Sequence, residues 1–241
     1  MDLFERRRAP FFFLALGVAG FVVASAFVGV LAASATTTSS VLTAVKAALK
    51  TQTGVHLVIS SKSGYSSTSV VADLGTQSGS EKYSSGKVTI SIEVTRTDAY
   101  VSGSSEGLMS FLGLSASQAK KVGSDWIAAQ AGTSEYSKLK PGTTISAVAG
   151  LLPKAKGTTL SSEITNGTKL YVLKWTTPAT ATLPKALNTF AVSAVGTPLP
   201  VEETVTGPSG SGTTHFSKWG EHVVIATPPA ASTVAYSKVM G

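Results

Sequence analysis

Cysteine is missing from all 241 residues. That absence excludes disulfide scaffolds, Cys-ligated zinc, iron–sulfur clusters, a cysteine nucleophile and lipidation at an N-terminal cysteine. Charge is scarce as well: only 14% of residues are Asp, Glu, Lys or Arg. Aromatic residues make up 7%, and there are 3 histidines. No G-x-G-x-x-G, P-loop or H-E-x-x-H spacing occurs. Hydroxyl groups take the place of charge, with 33 serines and 30 threonines. With 43% hydrophobic residues and a mean hydropathy of +0.24, the chain is not disordered throughout. Its length corresponds to one domain, or one domain with an appendage.

The long hydrophobic run is at the start. Arg6-Arg7-Arg8 precede Phe11–Ala33, which carries no charge. That length matches a membrane-spanning helix, which needs about 20 residues. Ala33-Ser34-Ala35 also fits an A-x-A cleavage site. The expected organisation is a cytoplasmic basic segment (1–10), a signal-anchor or signal peptide (11–34), a Ser/Thr linker (35–40) and an extracytoplasmic domain (41–241). The three arginines hold the N-terminus inside, so the domain faces outward. It is either anchored in the cell membrane or secreted after cleavage near Ala35.

Within the outer domain, Val41–Thr51 has helical periodicity, with Ser39-Ser40 available as the cap. Five runs of period two follow: Val55–Ile59, Ser69–Leu74, Ser80–Tyr83, Val88–Val94 and Ala99–Ser102. Short loops join them, which predicts an antiparallel meander. Short helices are expected at Ser105–Leu112, Ser115–Val122, Ser134–Leu139 and Thr143–Leu152, with a short extended piece at Trp126-Ile127. Strand patterns resume at Thr159–Ile164, Lys169–Thr176, Thr189–Val195, Leu199–Val205, Gly212–Lys218 and Val223–Thr227. Asn166-Gly167 reads as a hairpin turn rather than a glycosylation site. The order predicts an α+β fold: one large antiparallel sheet of about 10–11 strands with helices packed on one face.

Catalytic patterns are weak. Gly103-Ser104-Ser105-Glu106-Gly107 fits G-x-S-x-G between a strand and a helix. A nucleophile elbow needs a mostly parallel sheet, an acid and a His, whereas this sheet is expected to be antiparallel. The alternative is a polar turn capping the helix, and hydrolysis by Ser105 is the remote reading. Ser117-x-x-Lys120 and Ser137-x-x-Lys140 lack companion motifs. His56, His215 and His222 have no metal-ligand spacing, so no metal and no cofactor are expected. Glu202 and Glu203 are adjacent in a strand and point to opposite faces.

The net charge is +7. Nucleic acid would need a clustered basic patch, but beyond the N-terminal arginines Lys120-Lys121 is the only adjacent basic pair. Anionic lipid headgroups or wall polymers suit an outward-facing domain better, a generally soluble surface is the alternative, and no nucleic-acid partner is expected. Leu108, Met109, Phe111, Leu112 and Leu114 crowd one weak helical stretch. They either pack a core or act as a lid over an incompletely filled interior, the kind of cavity that takes apolar ligands.

From Val41 to Val239 the chain resembles the LolA-like superfamily, in particular the actinobacterial LppX–LprG lipoproteins. The resemblance lies in Ala44–His56 (AVKAALKTQTGVH), Asp98–Gly103 (DAYVSG), Ser124–Ile127 (SDWI), Leu199–Thr204 (LPVEET) and Lys218–Pro229 (KWGEHVVIATPP). It implies a half-barrel with helices across its concave mouth, an apolar cavity for lipid acyl chains, and no enzymatic activity. The lipobox Cys of that family is absent here, so the 11–34 span would provide the anchor. On this reading Leu57, Ile59, Val88, Ile90 and Ile92 line the concave face. Leu108, Phe111 and Leu112 cover it, and Tyr100 and Trp126 sit at the rim. The expected partners are a lipid or amphiphilic ligand, the membrane and an envelope protein. The alternative is a structural or interaction module with a filled cavity.

Overall fold

The computed structural model describes residues 36–180 and 184–240. The basic segment, the 11–34 span and the Ala33–Ala35 cleavage site lie outside the described residues. No helix among the described residues is long and apolar enough to cross a membrane.

The first helix, α1 (Thr38–Lys50), begins earlier than its periodicity suggested. Its cap is Thr37 rather than Ser39-Ser40. The Thr37 hydroxyl accepts the Ser40 N–H at 3.1 Å, and the Ser40 hydroxyl accepts the Thr37 N–H at 3.0 Å. This reciprocal pair satisfies two N–H groups that a helix start leaves open. It also draws the end of the expected linker into the first turn.

Five antiparallel strands follow: β1 (Gly54–Ser63), β2 (Ser66–Gly75), β3 (Gly79–Ser85), β4 (Val88–Val94) and β5 (Asp98–Gly103). Then come α2 (Ser105–Leu112), α3 (Ala116–Val122), β6 (Trp126–Gln130) and α4 (Ser134–Leu139). The helix expected at Thr143–Leu152 is broken into a 3-10 turn at Lys140–Thr143 and a single α-turn, α5 (Ser146–Ala149). The remaining hairpins are β7 (Thr159–Thr165), β8 (Thr168–Thr177), β9 (Ala186–Ser193), β10 (Pro200–Gly207) and β11 (Gly210–Ser217). Asn166 and Gly167 both have positive φ, 50° and 77°, as a two-residue hairpin turn requires.

The last expected strand, Val223–Thr227, is not one. The chain from Lys218 to Pro229 carries no ladder and runs as a strap. It ends in a short strand, β12 (Thr233–Ala235), and a final helix, α6 (Tyr236–Met240). Alternation of Val and Ile cannot distinguish a strand from an extended strap, because both present side chains with period two. Among the described residues, twelve strands form one open sheet in the order β12-β6-β5-β4-β3-β2-β1-β11-β10-β9-β8-β7. The sheet is mixed, because β12 runs parallel to β6 and the other pairs are antiparallel.

This order needs two long crossovers. The chain walks outward from β1 to β6, and then the α4–α5 excursion carries it to the far edge at β7. It walks back to β11, which pairs with β1. The strap then returns it to β6, as a parallel pairing demands. The two crossovers pass the β2–β3 end on opposite faces. A Cβ on inward-facing Gly79 would strike the Thr143 carbonyl oxygen of the excursion. A Cβ on outward-facing Gly54 would strike the Glu221 carbonyl oxygen of the strap. The Ile145 N–H donates to the Gly75 carbonyl at 2.8 Å on the inner side, and the Gly220 N–H to Gly54 at 2.9 Å on the outer.

Gly79→Ala is therefore expected to lower stability by about 1–3 kcal/mol, since backbone must shift to relieve the contact. Gly142→Ala, which meets open space, is expected to be close to neutral. Thermal unfolding of both variants checks this, and equal melting temperatures would refute the inner docking.

Two separate cores result. One gathers α1, β1, β2, β8, β9, β11 and α5 around Val45, Leu57, Leu74, Leu173 and Phe190. The other gathers β3–β6 and α2–α4 around Ile90, Val94, Val101, Leu108 and Ile127.

Candidate ligand-binding site on the concave face

Strand register settles which side chains share the inner face. Leu57 pairs with Ala72 and Phe216, and Ile59 with Val70 and Thr214. Glu81 pairs with Ala72 and Ile92, and Ile92 with Val101. Glu203 pairs with Thr214 and Phe190. Partners across an antiparallel ladder point the same way, so all of these face the helices.

Eight of the ten residues expected at the site lie on this face or over it. Leu57 is buried in the α1 core, while Ile90, Ile92, Leu108 and Leu112 are buried in the α2 core. Ile59, Val88 and Phe111 are half-buried against the second core. Tyr100 and Trp126 are the corrections. Val101 and Ile127 point inward, so their chain neighbours Tyr100 and Trp126 point outward. Tyr100 is nevertheless buried, because the strap covers it and Thr227 hydrogen-bonds its side chain.

The helical cover is docked closely. Ser104 caps α2: its hydroxyl accepts the N–H groups of Gly107 and Thr89, each at 3.1 Å. Gly103 and Gly107 leave room for the Thr89 carbonyl, which a Cβ on either would strike. The G-x-S-x-G pattern is thus a docking turn between β4 and α2. Ser105 is exposed at the start of the helix. His56 and His215 point from the convex face, toward Asp73 at 2.7 Å and Glu202 at 3.2 Å, and His222 lies on the strap. The sheet therefore stands between Ser105 and both ladder histidines. No group of His, Cys, Asp or Glu among the described residues could hold a metal ion.

Beneath α2 and α4 lies a cavity lined by Val101, Phe111, Leu112, Ile127, Leu139 and Tyr236, with Glu135 and Lys138 at its border. Its volume is about 30 Å³. That is the room of about one water, well short of an acyl chain.

The concave face is open elsewhere. Between the two cores, Ile59, Ser61, Thr68, Ser85, Val205 and Gly212 point inward by register and stay half-buried. Glu81 and Glu203 belong to the same surface. Solvent still reaches part of each residue, while protein surrounds most of each carboxyl group. Burial pushes the pKa of both up to about 7. Neither carboxyl has a hydrogen-bond or ion-pair partner among the described residues.

Sequence reasoning did not single out Glu81 and placed Glu203 only on the face opposite Glu202, although the signal was present. Glu81 has the parity of Tyr83, and Glu203 has the parity of Val205. Period two alone does not reveal that both apolar residues face inward in strands this polar.

No protein-family model matches the sequence, and no curated protein matches it. Among solved structures, the chain is similar to LprF from Mycobacterium bovis, with 17% identity and a TM-score of 0.49 over 79% of this chain and 96% of that one. It is also similar to the lipoprotein LppX of Mycobacterium tuberculosis, with 18% identity and a TM-score of 0.43 over 78% of this chain and 99% of that one. LppX is one of the lipoproteins that the sequence resembles.

Proposed function

We propose that this protein binds a lipid or other amphiphile on the concave side of its sheet, without performing chemistry, at the outer side of a membrane. The observation that supports this most is the inner surface left open between two separate cores. A filled single core would bury Ile59 and Val205 fully, yet both are half-buried beside inward hydroxyls. A surface that mixes apolar and hydroxyl groups suits a molecule with a chain and a polar end. The outward placement rests on Arg6–Arg8 and the apolar run behind them.

Organic extraction of the full-length protein, purified without added lipid, followed by mass spectrometry tests the reading. A co-purifying amphiphile in near-stoichiometric amount is the expected result. No bound lipid, together with no uptake of a fluorescent acyl probe, would overturn it.

The small volume under α2 and α4 favours a second reading, an interaction module with a packed interior. Its partner surface would be the edge strand β7, which is exposed along nearly its whole length, Ile164 included. Unpaired strand edges invite pairing with another chain. The same extraction separates the two readings.

A further inference from the structure

We propose that the open part of the concave face selects a cationic amphiphile, an alkyl chain with an ammonium headgroup, through Glu81 and Glu203. This rests on the ligand-binding reading above and names the chemical class of its ligand.

Several other inward polar groups on this face have partners or are buried in the ladder. Asn188 donates to Thr177 Oγ1 at 2.9 Å, and the Thr68 hydroxyl donates to Ser85 at 3.3 Å. Thr214 is buried in the ladder between Ile59 and Glu203. On the convex face, Glu202 meets His215, and Glu163 meets Lys174 at 3.2 Å at the sheet edge. Glu81 and Glu203 stand apart as half-buried carboxyls that face inward and have no partner among the described residues.

A carboxyl in such a place is costly to ionise unless a counter-charge arrives. An ammonium group supplies that charge and donates hydrogen bonds, while its chain covers Ile59 and the neighbouring apolar rows. A carboxylate headgroup would meet like charge instead. Among the described residues, no basic side chain pairs with either inner glutamate. Four ladder steps separate the two, from β3 through β2, β1 and β11 to β10. Each therefore offers its own contact on the inner face.

Dodecylammonium and dodecanoate test the inference when titrated below their micelle concentrations into the full-length protein at pH 8, with calorimetric detection. Dodecylammonium is expected to bind at least tenfold more tightly. Glu81→Gln or Glu203→Gln is expected to reduce that preference, and the double variant to abolish it. Glu202→Gln, on the convex face, is expected to leave it unchanged. Melting temperatures establish that each variant is folded. Equal affinity for the two probes, or a preference that survives in the double variant, overturns the inference while the binding function stands. Binding of neither probe overturns the binding function itself, and the inference with it.

Discussion

Phe190→Ala is expected to lower the unfolding free energy by about 3–5 kcal/mol, the cost of emptying a fully buried aromatic site. Phe190 lies in the middle of β9 with no exposed surface. Its ring packs tilted against Phe216 of β11, with centroids 6.0 Å apart at 59°. Phe216 in turn stacks on Trp219, with centroids 6.1 Å apart at 14°. Trp219 donates its indole N–H to the Pro200 carbonyl at 2.9 Å and so holds the start of the strap. Removing the ring would therefore loosen α1, the β8–β11 half of the sheet and the anchor of the strap together. Domains of this kind have about 5–15 kcal/mol to lose. Urea unfolding followed by tryptophan fluorescence measures the change. A loss below about 1 kcal/mol would mean that the site collapses around the gap and that the α1 core is not packed as described.

The second large effect depends on pH. Burial raises both Glu81 and Glu203 from 4.5 to about 7. Below pH 4.5 both groups hold their protons whether the chain is folded or not. Between pH 4.5 and 7 the unfolded chain gives them up while the folded chain keeps them, so stability falls as pH rises. Above pH 7 the loss levels off, at roughly 3 kcal/mol per group at most. Glu93 shifts in the same direction through burial, opposed by Lys82. Glu135 and Glu163 shift downward, through hydrogen bonds from Ser134 and Lys174 respectively, and act at lower pH. The double variant Glu81→Gln/Glu203→Gln is expected to flatten most of the slope between pH 5 and 8 and to unfold later than the parent at pH 8. Chemical unfolding across that range checks it. A parent protein whose stability does not change, or a slope that persists in the double variant, would show that these carboxyls are well solvated.

The two glutamates also mark where the sequence could be read and where it could not. β4 was legible because Val88, Ile90, Ile92 and Val94 alternate with polar residues, and its inner face then follows. The turn at Asn166-Gly167 was legible because few residue pairs accept positive φ twice in succession. The helix at Ser105–Leu112 was legible from its crowded apolar face. These features depend on neighbours in the chain, and local chemistry is enough to specify them.

Only the tertiary structure decided the rest. Tyr100 and Trp126 look like rim residues until the strap is seen to cross the convex face, which gives that face a cover of its own. Val223–Thr227 reads as a strand, yet it meets the side chains of Ser78 and Tyr100 where a ladder would be. Whether Glu81 ends up in solvent or largely surrounded by protein depends on β2 and β4 beside it and on the elements packed over them, none of them its neighbours in the chain. The absence of cysteine excluded a covalent staple and thiol chemistry from the sequence alone. What holds the sheet instead, two cores joined by two crossovers on opposite faces, is a matter of long-range packing, to which no local pattern corresponds.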